Sequence, residues 1–433
     1  MKTKKQEFKE KVTIENLLPD PSTPGRFVGH DAGAQDGIGH LSPNSWVFHD
    51  QVASKVIEGD YLGIMPFSGE FVTTMNCSNR CSIPCSYEVA KKIEGLWEKN
   101  QFSNPIAQMQ SLGFAEMLVD RLVEAGVKGL TLTGGGEPFL FTGLEELAHY
   151  VTSNGIDLVV YTNGNSVSKS RINRLLEAEP MLVRVSLNAG TKDVYNAFHS
   201  PLNPEHALDN SLDTIETLAR GSILNPKISV GVGVVINKVN EGDLVEVAYR
   251  LRDITEKTGG GIGFVTYRPA FNYFGSEQLK CDILDRTHEI VETEVREALR
   301  GTGIKVSNVT SRYLALKQDT RYYNACRASG LFYEVAPSGN LHLCCDRNCH
   351  RDYIIGNLSR QSLAEIWQSQ QRIDMIHETD SDYCKTCPPA CKPHLVNNQF
   401  AQIEALRDAG ELYKVEVWIE SQRAMPKPKM VNF

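Results

Sequence analysis

The sequence predicts an α/β protein, with a mostly parallel sheet wound into a partial barrel and a small cysteine-rich unit after it. Three observations carry this. Between residues 70 and 299, six β-branched runs alternate with six helical patterns, and that order builds a parallel sheet buried on both faces. Right-handed crossovers curl such a sheet toward a barrel. Eleven cysteines fall unevenly along the 433 residues, at 77–85 and 326–391 with Cys281 between, which suits metal ligation better than a disulfide scaffold.

The strands are expected over residues 70–75, 129–133, 157–162, 182–189, 228–236 and 262–268, each rich in Val, Ile, Leu or Thr. The helices are expected over 114–125, 143–153, 168–177, 207–219, 241–256 and 285–299. In this architecture functional groups collect at the C-terminal ends of the strands. Residues 1–69 read as an irregular N-terminal extension, 70–301 as the barrel, 302–400 as the cysteine-rich unit and 401–433 as a tail that says little. A hairpin is expected over 331–344, turning at Ser338 and Gly339, with a short helix over 363–372.

Composition narrows the function. Lys and Arg number 45 against 53 Asp and Glu, a net charge of −8, which argues against nucleic-acid binding. No apolar run is long enough to span a membrane, and the charged N-terminus is not a secretory signal, so a cytoplasmic, reducing setting is expected.

The first cysteine group reads Cys77-Ser-Asn-Arg-Cys81-Ser-Ile-Pro-Cys85, directly after the first strand. Three thiolates on one loop can hold three irons of a [4Fe–4S] cluster, leaving the fourth iron open. A zinc site, which needs a fourth ligand, and unpaired buried thiols are the competing readings. The second strand runs into Gly134-Gly135-Gly136-Glu137, where glycines let backbone approach a ligand closely. The third ends at Tyr161-Thr162-Asn163. In the fourth, alternation puts Arg184, Ser186 and Asn188 on the barrel-interior face and Val183, Val185 and Leu187 under the helices. The sixth ends at Arg268.

With these motifs in this order, residues 70–300 resemble the radical SAM superfamily, which has a TIM-like (β/α)6 partial barrel. The spacing of three and three residues departs from the usual three and two. Pro84 stands where the family has an aromatic residue, and Tyr87 follows two residues after Cys85. The resemblance implies a SAM-binding [4Fe–4S] cluster on Cys77, Cys81 and Cys85. It implies that Gly134, Gly135, Gly136 and Glu137 hold the amino group of S-adenosylmethionine (SAM). Asn163, Ser186, Asn188 and Arg268 fall at further cofactor-binding positions, and Tyr87 is a candidate for adenine stacking. Gly231 and Gly233 of the fifth strand offer small residues beside the adenine.

The second group has Cys326, twelve residues, Gly339, four residues and Cys344, then Cys384, Cys387 and Cys391. This spacing resembles the auxiliary-cluster extensions of the family, called SPASM with two clusters and twitch with one. Twitch is favoured, with Cys326, Cys344, Cys384 and Cys387 closing one auxiliary [4Fe–4S] cluster. Cys345, Cys349 and Cys391 are unassigned, a structural zinc is the competing reading, and His350 is expected at the surface. The resemblance implies reductive SAM cleavage to a 5′-deoxyadenosyl radical, with an electron donor such as flavodoxin or ferredoxin. A single auxiliary cluster and the three-and-three spacing resemble aminoglycoside-pathway enzymes that dehydrate or oxidise aminosugars and aminocyclitols. Peptide modification is the alternative, disfavoured because no leader-binding module is evident. A non-catalytic cluster scaffold or sensor is the second alternative, and it needs no SAM site.

Overall fold

A computed structural model describes residues 44–82, 85, 108–133, 135–270, 281–317, 321–347, 350–379, 387–388, 391–424 and 427. Tyr87, Gly134, Cys349 and Cys384 therefore lie outside the described residues. Helix α1 (Asp50–Glu58) precedes the first strand, so residues 44–58 are not irregular as expected. The barrel then alternates as β1 (Ser68–Val72), α2 (Leu112–Glu124), β2 (Gly129–Thr133), α3 (Leu144–Ser153), β3 (Asp157–Thr162), α4 (Lys169–Glu177) and β4 (Leu182–Ser186). Two helices follow, α5 (Lys192–His199), which the sequence reading lacks, and α6 (Ala207–Leu224). Next come β5 (Ser229–Ile236), α7 (Leu244–Thr258), β6 (Phe264–Pro269) and α8 (Cys281–Ile290), which runs on through a π turn to Ala298. A seventh parallel strand, β7 (Lys305–Asn308), closes this series.

The cysteine-rich segment joins the same sheet. Strand β8 (Phe332–Val335) pairs in parallel with β1, and β9 (Asn340–His342) and β10 (Ile354–Asn357) continue antiparallel beyond it. The order is β10-β9-β8-β1-β2-β3-β4-β5-β6-β7. The expected hairpin forms, and Gly339 takes φ of +80°, a left-handed value that glycine tolerates.

Alternation separates two faces. Leu130, Leu132, Leu158, Val160, Val183, Val185, Val232 and Val265 join one core beneath the helices. On the interior face, Val159, Leu182 and Phe264 form a separate small cluster with Tyr161 packed against it. Pairing puts Glu334, Glu70, Thr131, Val159 and Leu182 in one cross-strand row, so Glu70 and Glu334 face the interior. Burying these strands from both sides accounts for their near-continuous apolar character.

The first and last described helices share a second core with residues around β8. Trp46, Val52 and Val56 pack with Phe400, Ile403, Leu406, Val415 and Trp418, which lie on helices His394–Asp408 and Tyr413–Ala424. No helix among the described residues is long and apolar enough to cross a membrane.

Candidate active site

The first cysteine loop leaves β1 between two supports. On one side, Gly136 donates its N–H to the Thr74 carbonyl at 3.0 Å, and Glu137 donates to the Asn76 carbonyl at 2.7 Å. A Cβ on Gly136 would stand 1.7 Å from the Asn76 oxygen, so only glycine permits this approach. On the other side, the loop meets the end of α5. Arg80 donates to the His199 carbonyl at 2.9 Å, Ser82 to Phe198 at 2.8 Å, and Leu202 donates back to Ser78 at 3.0 Å. Cys77 and Cys81 are half-buried and Cys85 is exposed. The Cys77 sulfur accepts from the Asn79 N–H at 3.4 Å, and Asn163 Nδ2 stands 3.9 Å from it. Three sulfurs on one loop, with N–H groups aimed at one of them, are a donor set suited to an iron–sulfur cluster.

Glu137, only 2% exposed, joins the glycine turn to the end of β3. Its oxygens accept from the Thr162 hydroxyl at 2.6 Å, the Asn163 N–H at 2.7 Å and the Phe139 N–H at 3.2 Å. Burial pushes its carboxyl above the ordinary carboxylate range, and these donors oppose the shift. Both oxygens thus already serve protein donors.

Asn163, Asn165 and His199 form a buried polar cluster behind the cysteine loop. Asn163 donates to the Ser78 hydroxyl at 3.1 Å, and Asn165 donates to Asn79 Oδ1 at 2.6 Å. Sequence reasoning missed Asn165 and His199, whose partners come from distant parts of the chain. Asn188 takes φ of +61° and uses its side-chain oxygen on the Val235 N–H at 2.8 Å. Ser186 and Arg268 are half-buried on the interior face. Arg184 is buried with its guanidinium 3.8 Å above the Tyr161 ring. Burial pulls its pKa down to about 10. The fifth-strand glycines stand against side chains of neighbouring strands. A Cβ on Gly231 would strike the Phe264 ring at 2.3 Å, and one on Gly233 would meet Arg184 Nε at 3.5 Å.

In the second group, Cys344, Cys345 and Asp346 bring ligand atoms within 4.8 Å of one another. Asn397 Nδ2 stands 3.3 Å from the Cys326 sulfur. Cys391 is buried, and burial pushes its thiol well above the ordinary value, with Asp346, Cys387, Cys326 and Cys345 adding to the shift. Cys345 therefore stands beside Cys344, and Cys391 precedes Lys392, whose backbone N–H meets Asp346. His350 is not at the surface but 6% exposed, with its ring against Tyr353. Next to Cys391, Lys392 donates its backbone N–H to Asp346 at 3.0 Å and reaches Glu70 of β1 with Nζ at 3.2 Å. The cysteine-rich segment thereby lends a side chain to the barrel interior.

Comparison with known proteins agrees with this arrangement. Residues 72–251 match the family described as the radical SAM superfamily, and residues 326–389 match SPASM, an iron–sulfur cluster-binding domain. Mycofactocin maturase MftC of Mycolicibacterium smegmatis is 23% identical over 309 residues, 68% of this chain and 74% of that protein. In fold, the chain is similar to Streptococcus suis SuiB bound to S-adenosylmethionine. The TM-score is 0.55 at 12% identity, over 75% of this chain and 71% of that one. SuiB bound to precursor peptide SuiA gives 0.55 at 14% identity, over 80% and 73%. The cofactors that go with these two domains are SAM with its [4Fe–4S] cluster and auxiliary iron–sulfur ligation. A glycine turn locked against a three-cysteine loop, with a second thiol cluster on the same sheet, is thus part of a chain that carries a radical SAM domain over residues 72–251 and a SPASM iron–sulfur cluster-binding domain over residues 326–389.

Proposed function

We propose that the chain abstracts hydrogen from a small polyhydroxylated compound of the aminosugar or aminocyclitol type, ending in dehydration or oxidation. The observation that carries this reading is the polar interior of the barrel. Glu70 paired with Lys392, and the half-buried Tyr161, Ser186 and Arg268, are the kind of groups that orient hydroxyl and amino functions in a pocket.

When bound and reduced, the SAM-binding cluster supplies the electron that cleaves SAM to methionine and a 5′-deoxyadenosyl radical. Cys77, Cys81 and Cys85 are its ligands in this reading. Gly135, Gly136 and Glu137, with Gly134, form the rim for the methionine amino group, and Glu137 acts by fixing that rim to β3. Asn163, Ser186, Asn188 and Arg268 line the remaining cofactor positions, and Tyr87 is the stacking candidate. Cys326, Cys344, Cys384 and Cys387 hold the auxiliary cluster, while Cys345 and Cys391 are available to a second one. The chain's contribution is to hold the substrate C–H near the radical carbon and to exclude water. A cytoplasmic flavodoxin or ferredoxin is the natural electron donor.

A peptide substrate is the second reading. Similarity to a maturase along 68% of the chain favours it. One experiment separates the two. Aminosugars and aminocyclitols deuterated at carbinol carbons are incubated with the reduced enzyme and SAM. Deuterium in 5′-deoxyadenosine, with a product lighter by water or by two hydrogens, supports the first reading. Failure of all such compounds, with transfer from a peptide encoded nearby, replaces it with the second. Absence of any SAM turnover leaves the scaffold alternative.

A further inference from the structure

His199 is an unexpected neighbour of the cysteine loop. It ends α5, is 2% exposed, and places Nδ1 3.5 Å from the Cys81 sulfur and 3.2 Å from Asn79 Nδ2. Its other nitrogen, Nε2, lies 3.2 Å from the Leu187 carbonyl at the end of β4. The ring sits against Tyr195 at 4.4 Å and Phe198 at 4.8 Å.

The hydrogen bonds on its Asn79 side run in one direction, fixed at the start by a backbone N–H that cannot exchange donor for acceptor. The Asn165 N–H donates to Asn163 Oδ1 at 3.0 Å, which turns the Asn163 amide nitrogen toward Ser78. The Ser78 hydroxyl then donates to Asn165 Oδ1 at 2.8 Å, and Asn165 Nδ2 donates to Asn79 Oδ1. Asn79 is left with its NH2 facing His199, so Nδ1 is the acceptor. At the far end a carbonyl can only accept, so Nε2 carries the proton. The Asn188 amide nitrogen also lies 3.4 Å from Nε2, farther than the Leu187 carbonyl, so the Asn79 side decides the Nε2–H tautomer.

We propose that His199 is a positioning residue for the SAM-binding cluster. Its imidazole, as the Nε2–H tautomer, ties the loop of the middle ligand Cys81 to the end of β4 by accepting from the Asn79 side chain and donating to the Leu187 carbonyl. Hydrogen bonds to cluster sulfurs are one of the levers on reduction potential. Cys77 receives an N–H from Asn79, the residue whose side chain His199 holds. Partners of ligands act on metal sites in the same way elsewhere.

The test uses the full chain, reconstituted anaerobically, with His199→Phe and His199→Gln. Phenylalanine keeps the ring packing and loses both hydrogen bonds. Glutamine can again accept from Asn79 and donate to Leu187. The readouts are iron per chain, the midpoint potential, and the part of the reduced-cluster EPR signal that shifts on adding SAM. Thermal melting and the SAM-insensitive signal report on the fold and the auxiliary site. The expected result for His199→Phe is a changed potential and altered g-values of the SAM-responsive signal, or its loss with roughly four irons. Melting and the auxiliary signal stay as in the parent, and His199→Gln restores the parent signature. Parent-like iron, potential and g-values in His199→Phe overturn the proposal. Loss of both clusters with early melting in both variants also overturns it, by showing a packing role alone. A Gln variant that fails to restore the signature overturns the hydrogen-bonding role.

Discussion

Replacing Gly136 by alanine tests how the SAM rim is built. The added Cβ would lie 1.7 Å from the Asn76 carbonyl oxygen, and the obstacle is backbone, not the end of a flexible side chain. Relief requires the glycine turn and the cysteine loop to part by more than about 1 Å, since non-bonded carbon and oxygen do not approach within about 3 Å. Two hydrogen bonds span that gap, from Gly136 to Thr74 at 3.0 Å and from Glu137 to Asn76 at 2.7 Å. Both would stretch beyond bonding distance. Losing two buried backbone bonds costs on the order of 2–5 kcal/mol, counting the groups left unpaired. The loss falls on the loop that carries Cys77. Gly136→Ala should therefore unfold earlier in denaturant as apoprotein and bind SAM at least about tenfold more weakly once reconstituted, the equivalent of roughly 1.4 kcal/mol. Gly113→Ala is the control. No atom lies within 4 Å of a Cβ there, in the first turn of α2, and the change should be neutral or stabilising by up to about 1 kcal/mol. A Gly136→Ala protein matching the parent in both denaturation and SAM affinity would refute the reasoning.

Two further substitutions probe buried carboxyls. Glu137→Gln sets an amide NH2 among the Thr162, Asn163 and Phe139 donors, and should weaken SAM binding or loop stability by about 1–3 kcal/mol, read by calorimetry and melting; unchanged values would remove Glu137 from the site. Glu334 is 0% exposed, and among the described residues neither of its oxygens has a hydrogen-bond partner. Burial, then Glu70, pushes its pKa well above the ordinary value. The folded state therefore keeps a proton that the unfolded chain releases, and stability falls as pH rises above the unfolded value, by about 1.4 kcal/mol per pH unit until the folded value is reached. Glu334→Gln has no such proton to lose, so its advantage over the parent should grow between about pH 5 and 8. A difference that stays flat with pH would mean an ionised Glu334.

Much of this was legible in the sequence, for reasons particular to each element. Residues 129–133 and 157–162 have strand bounds matching expectation, because apolar β-branched runs end there in glycine or asparagine. The cysteine loop and the glycine turn were visible as local motifs. Helix α5 was not, since eight residues with Tyr195, Phe198 and His199 buried give too short a repeat to read as periodic. Strand β7 has only four residues, Lys305–Asn308. The burial of His199 could not be read locally, because Asn79 and Leu187 come from other elements. The same holds for the shared core of Trp46 and Trp418, and for Lys392 meeting Glu70. Tertiary pairing of this sort leaves no trace in a single window of sequence.

The join between β1 and β8 bears on how the protein is made. Ser68 pairs with Phe332, residues 264 positions apart in the chain. At about 5–20 residues per second, the ribosome takes roughly 13–50 s to supply the second strand. During that interval one edge of β1 has no strand to pair with, and an unpaired edge is a template for association with other chains. The nascent barrel thus depends on its last-made sheet strands to seal its first, and a chain released early would present Ser68–Val72 as an open edge. Holding that edge apart from other chains until residue 335 has emerged is a task for the cell's folding machinery.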